Sequence, residues 1–201
     1  MDKSANNKYE IHELIKNRWS PRSFKPVTLE KEKILSLFEA ARWAPSSYNE
    51  QPWHFIIASR EDEQEFDKLL SCLVEFNKEW AKDASLLIIT VARSNSIHSN
   101  KPNKHAWHDI GLAAANLTIQ AGNLGLYVHQ IGGFDAEKTT QVFNIPEGYE
   151  PVSAIAVGYK DDPDKLNDSL KKSETAVRKR KELEEFIFEG EWGKTTKLLN
   201  H

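Results

Sequence analysis

Two guanidinium groups and two hydroxyls fall within the seven residues Arg18-Trp-Ser-Pro-Arg22-Ser-Phe24, with a proline fixing the turn between them. Arginine offers a planar fork that bonds a phosphate through two parallel hydrogen bonds, and a serine hydroxyl can fill a further phosphate oxygen. Arg18, Ser20 and Arg22 are therefore candidates for gripping an anion, although a solvated surface turn uses the same residue types. A second segment, Ala44-Pro-Ser-Ser-Tyr-Asn-Glu-Gln-Pro-Trp-His-Phe55, sets Ser46, Ser47, Asn49 and Gln51 between Pro45 and Pro52. These short amides and hydroxyls suit a ribityl chain or a pyrimidine-like ring; a loop that satisfies its own backbone is the alternative. In Gln130-Ile-Gly-Gly-Phe-Asp135 a strand ends in Gly132 and Gly133. Glycine there permits close backbone approach to a flat ligand, and N–H groups at such a junction can donate to a ring nitrogen or oxygen. A plain tight turn would read the same way. The run Arg178-Lys-Arg180-Lys181 adds a late pair of arginines, or a solvated charged face.

Two other patterns point to different chemistry. In His105-Ala-Trp-His108-Asp109, imidazoles three residues apart with an adjacent carboxylate are what a metal-dependent hydrolase would use, and a helix-start cluster with Asp109 capping or pairing is the competing reading. The basic run in VRKRKELEEF could serve nucleic acid, but Glu182, Glu184 and Glu185 follow at once and cancel most of the local field. The net charge of -3 likewise predicts no polyanion partner.

The elements that must position these groups follow from periodicity. A helix is predicted from Tyr9 to Asn17, with Ile11, Leu14 and Ile15 on one face, and a second after Thr28 as N-cap, running through Ile34, Leu37, Phe38 and Ala41 and stopping near Trp43 before Pro45. Four apolar runs read as strands: 53–58, 86–92, 127–131 and 152–159. Phe66, Leu69, Leu70, Leu73 and Phe76 recur at helical spacing, with Cys72 off their stripe. Residues 107–124 form a helix apolar on nearly all sides, which implies that a second subunit supplies part of its cover. Segment 93–104 is expected to be a flexible loop, and a short helix is expected at 182–188.

At 201 residues, 39% hydrophobic and 28% charged, the chain suits one globular domain. A lone cysteine and a polar start without the apolar run of a signal peptide make the cytoplasm the expected location, and no run of 18 apolar residues exists to span a membrane.

Taken in order, the Arg-x-Ser-x-Arg-x-Phe start, the Pro45 to Trp53 loop, the small-residue helix HDIGLAAANLTIQAGNLGL, the strand AIAVGYK and the late arginine pair resemble the nitroreductase family across nearly the whole chain. The loop is the specific element. Trp19 and Glu182 depart from the family pattern, which often has a basic residue or histidine at the first position and a proline at the second. The resemblance implies an α+β fold, with a central, mostly antiparallel sheet flanked by helices, in an intertwined homodimer. It also implies a single domain over residues 1–201 whose C-terminal arm, from about residue 162, packs on the partner. By the same resemblance, FMN would meet Arg18, Trp19, Ser20, Arg22, Arg178 and Arg180 of one subunit and Pro45, Ser46, Ser47, Asn49 and Gln51 of the other. Asn77 is expected near the pyrimidine edge, and the backbone of Gln130, Ile131, Gly132 and Gly133 beside the ring. Arg22 is the candidate cation for the N1 and O2 edge. The implied activity is ping-pong electron transfer from NAD(P)H through FMN to a nitroaromatic, quinone or similar electrophile, the flavin rather than an acid-base residue carrying the chemistry. A flavin carrier or sensor without enzymatic activity would use the same contacts.

Overall fold

The computed structural model describes residues 3–199. Its centre is strand β2 (Leu86–Arg93), in which every residue from Leu86 to Ala92 is buried. Such a run carries no polar alternation because the strand is paired on both edges and covered on both faces. β1 (Trp53–Ser59) pairs with one edge and β4 (Tyr149–Gly158) with the other, and β3 (Tyr127–Ile131) closes the outer side of β4. The order is β1-β2-β4-β3 and all three pairings are antiparallel.

Alternate residues divide the core into two. Leu86, Ile88, Ile155 and Val157 face helices α2 (Lys31–Arg42) and α5 (Ala106–Asn123), where Leu37, Ala41, Ala113, Ala114 and Leu117 are buried. Leu87, Ile89, Ala154 and Ala156 face the opposite layer, built from α3 (Glu63–Leu70), α4 (Glu75–Ala81) and Leu170 of α7 (Asp168–Thr175). Two shorter helices, α1 (Glu13–Asn17) and α6 (Ala136–Val142), complete the set. The fold is α+β, as expected.

Several local expectations are corrected. The first helix starts at Glu13 rather than Tyr9, with His12 Nδ1 accepting from the Leu14 amide at 3.2 Å. Thr28 does not cap α2; Glu30 holds that position without a side-chain cap bond, so dipole complementarity rather than a hydroxyl favours the start. The apolar stripe from Phe66 to Phe76 is split between α3 and α4 although it contains no glycine or proline. The reason is tertiary: the Cys72 carbonyl accepts from the Asp135 amide at 2.8 Å, the Val74 amide donates to Gly133 at 3.2 Å, and Leu73 bridges Phe134. These bonds take backbone groups that a continuous helix would have used. Cys72 lies fully buried in that break. Segment 93–104 is tied across its base by a bridge between Asn95 and Pro102. The helix expected at 182–188 is a single 3-10 turn, Leu183–Glu185. Within one chain α5 is not covered all round, since Trp107, Gly111, Ala115 and Gly122 form an exposed row. Among the described residues no helix is long and apolar enough to cross a membrane. The last residues of the predicted arm, 200 and 201, and the first two of the chain lie outside the described residues.

Candidate functional site

The N-terminal arginine segment is anchored by its own apolar end. Phe24 is 2% exposed and stacks on Trp80 at 6.2 Å, and its backbone bridges Lys160 beyond β4. That anchor leaves Arg18, Ser20 and Arg22 on the wall of a cleft of about 270 Å³. The opposite wall comes from the far end of the chain. Helix α7, capped by Asn167 Oδ1 on the Leu170 amide at 2.9 Å, ends at Thr175, and the chain then runs extended through Ala176 to bring Arg178 and Arg180 into the same cleft. Lys3, which no sequence pattern singles out, also lines it, and its carbonyl accepts from Arg178 Nη1.

The electrostatics of this cleft are unbalanced. Arg18 Nη1 donates to Ser20 Oγ at 3.3 Å, while burial, then Arg178, then Arg180 all lower the proton affinity of the Arg18 guanidinium. Burial and Arg180 act on Arg178 in the same sense. Arg22 Nε is buried without a hydrogen-bond partner among the described residues. The one acid in the lining, Glu174, spends both oxygens on backbone amides. Crowded guanidinium groups without a paired carboxylate fit a bound anion, whose charge would lower the repulsion among them.

Trp19 also lines the cleft. Its ring meets Tyr127 edge-on at 6.3 Å, and Lys3 Nζ lies over it at 5.3 Å. His129, on β3 behind the arginine turn, bonds the Pro21 carbonyl through Nδ1 at 2.8 Å and stacks near Trp80 at 4.5 Å.

The Pro45–Gln51 loop lies elsewhere in the same chain, and none of its residues lines the arginine cleft. It partly satisfies itself: Ser46 Oγ accepts from the Gln51 amide at 3.1 Å and Gln51 Nε2 donates to the Asn49 carbonyl at 3.3 Å. Yet Tyr48, Asn49 and Gln51 all have positive φ (51°, 55° and 45°), a left-handed geometry that costs free energy without glycine and is maintained only by its surroundings. Asp109 of α5, 1% exposed, accepts from the Ser47 amide at 3.0 Å, and the buried Glu50 accepts from the Ile97 amide at 2.9 Å. These carboxylates fix the loop between α5 and segment 94–103. The engagement of Asp109 also weakens the metal reading: His108 pairs with it at 3.1 Å, and no three His, Cys, Asp or Glu groups among the described residues could hold an ion.

At the glycine pair the close approach is to protein. A Cβ on Gly133 would stand 2.5 Å from Asn77 Nδ2 and 3.1 Å from Val74 Cγ2, whereas one on Gly132 would meet nothing within 4 Å. Asn77 Nδ2 donates to the Gly133 carbonyl at 2.9 Å, and Asn77 Oδ1 accepts from Trp80 Nε1 at 3.3 Å. Ile131 is buried in the core at 3% exposure, and Gln130 Nε2 reaches Thr118 Oγ1 at 3.5 Å. Gly133→Ala is therefore expected to displace Asn77 and cost about 1–3 kcal/mol, while Gly132→Ala leaves the unfolding midpoint nearly unchanged. Denaturant titration of the pair measures the difference.

A model of the nitroreductase family matches residues 15–159. The chain belongs to the nitroreductase family. Among solved structures of similar fold, one described as an oxidoreductase containing FMN is 33% identical, covers 94% of this chain and 96% of its own, and superposes with a TM-score of 0.89. An FMN-dependent nitroreductase from Clostridium difficile R20291 is 27% identical, with 83% of this chain and 98% of that one covered and a TM-score of 0.63. A Methanothermobacter thermautotrophicus protein with the provisional name NADH dehydrogenase/NAD(P)H nitroreductase is 30% identical over 160 residues, 76% of this chain and 78% of the relative. The matched span includes the arginine turn, the Pro45–Gln51 loop, Asn77 and the glycine pair, and it ends before α7 and the late arginines.

Proposed function

We propose that this nitroreductase-family chain is an FMN-dependent oxidoreductase that passes electrons from NAD(P)H to a small electrophile such as a nitroaromatic or quinone. The observation that carries the reading is the convergence of Arg18, Arg178 and Arg180 on one cleft without a paired carboxylate. In that cleft Arg18, Ser20, Arg178 and Arg180 would hold the phosphate of FMN. Arg22 would place positive charge at the pyrimidine edge, where electron uptake makes the ring negative. Asn77, with its Nδ2 and Oδ1 already engaged, would act by fixing the Gly133 backbone beside the ring.

The separation of the Pro45–Gln51 loop from the arginine cleft supports a shared site, in which each copy lends its loop to the cofactor held by the other. A homodimer would also cover the exposed row Trp107, Gly111 and Ala115 on α5. The arm after residue 162, where Val177 is 85% and Trp192 94% exposed, would pack on the partner, leaving one domain per copy.

When bound, FMN supplies hydride exchange with the nicotinamide and electron delivery to the acceptor; the protein binds, orients and excludes water. One binding face used in turn by donor and acceptor gives ping-pong kinetics. The purified protein is expected to be yellow and to oxidise NADH or NADPH only when a quinone or nitro compound is added, with parallel double-reciprocal plots. A colourless protein that takes up no added FMN would overturn the reading.

A further inference from the structure

We propose that Glu174 is a positioning residue, its carboxylate clamping the Pro21-Arg22-Ser23 turn so that the Arg22 guanidinium is held at the arginine cleft. The proposal rests on the reading of that cleft as the FMN site. Glu174 is 2% exposed in the last turn of α7, and both of its oxygens lie 3.0 Å from the Arg22 amide, with Oε1 also 3.4 Å from the Ser23 amide. Among the described residues it forms no ion pair, although it stands in a cleft lined by four arginines. A carboxylate buried to this degree must be satisfied by donors, and here backbone groups supply them. The opposite side of the same turn is held by His129 Nδ1 on the Pro21 carbonyl at 2.8 Å. Arg22 itself contributes no anchoring bond through its buried Nε. Its aim is therefore set through the backbone.

The location of Glu174 gives the clamp a second role. It lies four residues before Arg178, so its bond to a turn 152 residues away registers the two arginine-bearing ends of the chain against each other. It does so while adding negative charge that does not block a guanidinium fork. An amide replaces it only in part: a glutamine Oε1 still accepts, but its Nε2 would face the Arg22 N–H donor to donor.

The test uses the full-length protein reconstituted with FMN. Glu174→Gln is expected to weaken FMN binding about tenfold, the worth of one net hydrogen bond, and to shift the flavin midpoint potential. Glu174→Asp, which keeps the charge on a shorter arm, should recover part of both. In an Arg22→Ala background Glu174→Gln should cost little more, because the group it aims is gone. Hydrogen exchange of the Arg22 and Ser23 amides in the apoprotein should accelerate in Glu174→Gln, a readout independent of flavin and of activity. Wild-type affinity and potential in Glu174→Gln, an undiminished penalty in the Arg22→Ala background, or unchanged amide exchange each overturn the proposal. If Arg18→Ala and Arg180→Ala retain FMN like the wild type, the reading of the cleft fails instead, and amide exchange alone then decides the clamp.

Discussion

Arg18→Ala and Arg180→Ala are each expected to weaken FMN retention by roughly tenfold to more than a hundredfold, the cost of about 1.5–3 kcal/mol for losing a hydrogen bond to a charged group. Burial, Arg178 and Arg180 all lower the proton affinity of the Arg18 guanidinium, and burial and Arg180 lower that of Arg178. Removing one of these guanidinium groups from the apoprotein relieves their repulsion, so the unfolding midpoint without flavin should hold or rise even as cofactor binding falls. This pairing of opposite signs separates a binding role from a structural one. Arg18→Lys keeps the charge and loses the planar fork, and should fall between wild type and alanine. Equilibrium dialysis against FMN and thermal unfolding of the apoprotein check both halves. Unchanged flavin affinity in both alanine variants would mean that the phosphate is not held here.

A loss of stability on mild acidification is the second large effect expected, and its source is His129. Burial lowers its pKa from 6.5 to about 4; Arg22 and Arg18 act in the same direction, and hydrogen bonds with the backbone of Pro21 and Ser20 oppose the shift only in part. A folded-state pKa below the unfolded value means that the unfolded chain binds the proton first as pH falls. No stability is lost above the unfolded pKa of 6.5; the loss grows between 6.5 and about 4 and levels off below it. The fall from 6.5 to about 4 corresponds to a ceiling of about 3 kcal/mol. His129→Gln removes the titration. Relative to its own neutral-pH value, the variant should lose less stability than the wild type between pH 6.5 and 4.5. Identical slopes, or an imidazole titrating near 6.5 by NMR in the folded protein, would refute the assignment.

The strands and the chemistry-bearing segments were legible in the sequence because both are local properties. β3 matches its predicted bounds and the other three strands overlap theirs, since apolar runs long enough to be buried leave the chain few alternatives. The candidate segments declared themselves by residue type: guanidinium beside hydroxyl, amide-rich loop between prolines, paired glycines at a strand end. Their order along the chain is what brought the family into view. Element boundaries were less legible where backbone groups are claimed from a distance. Nothing between Phe66 and Phe76 announces a break, and the break exists because the 132–135 turn takes the amide and carbonyl groups there.

By itself, then, the sequence determined the apolar framework, the candidate groups for binding an anion and the family to which the chain belongs. Only the tertiary structure decided which of those groups meet. It joined Arg18 to Arg178 and Arg180, kept the Pro45–Gln51 loop out of their cleft, and turned the glycine pair toward Asn77 rather than open space at Gly133. It also revealed Lys3, Glu174 and Asp109, each of which reads in sequence as one more charged residue among many. The physical reason is that periodicity and residue chemistry are short-range, whereas a buried carboxylate acquires its role from backbone amides supplied by chain that folds back from far away.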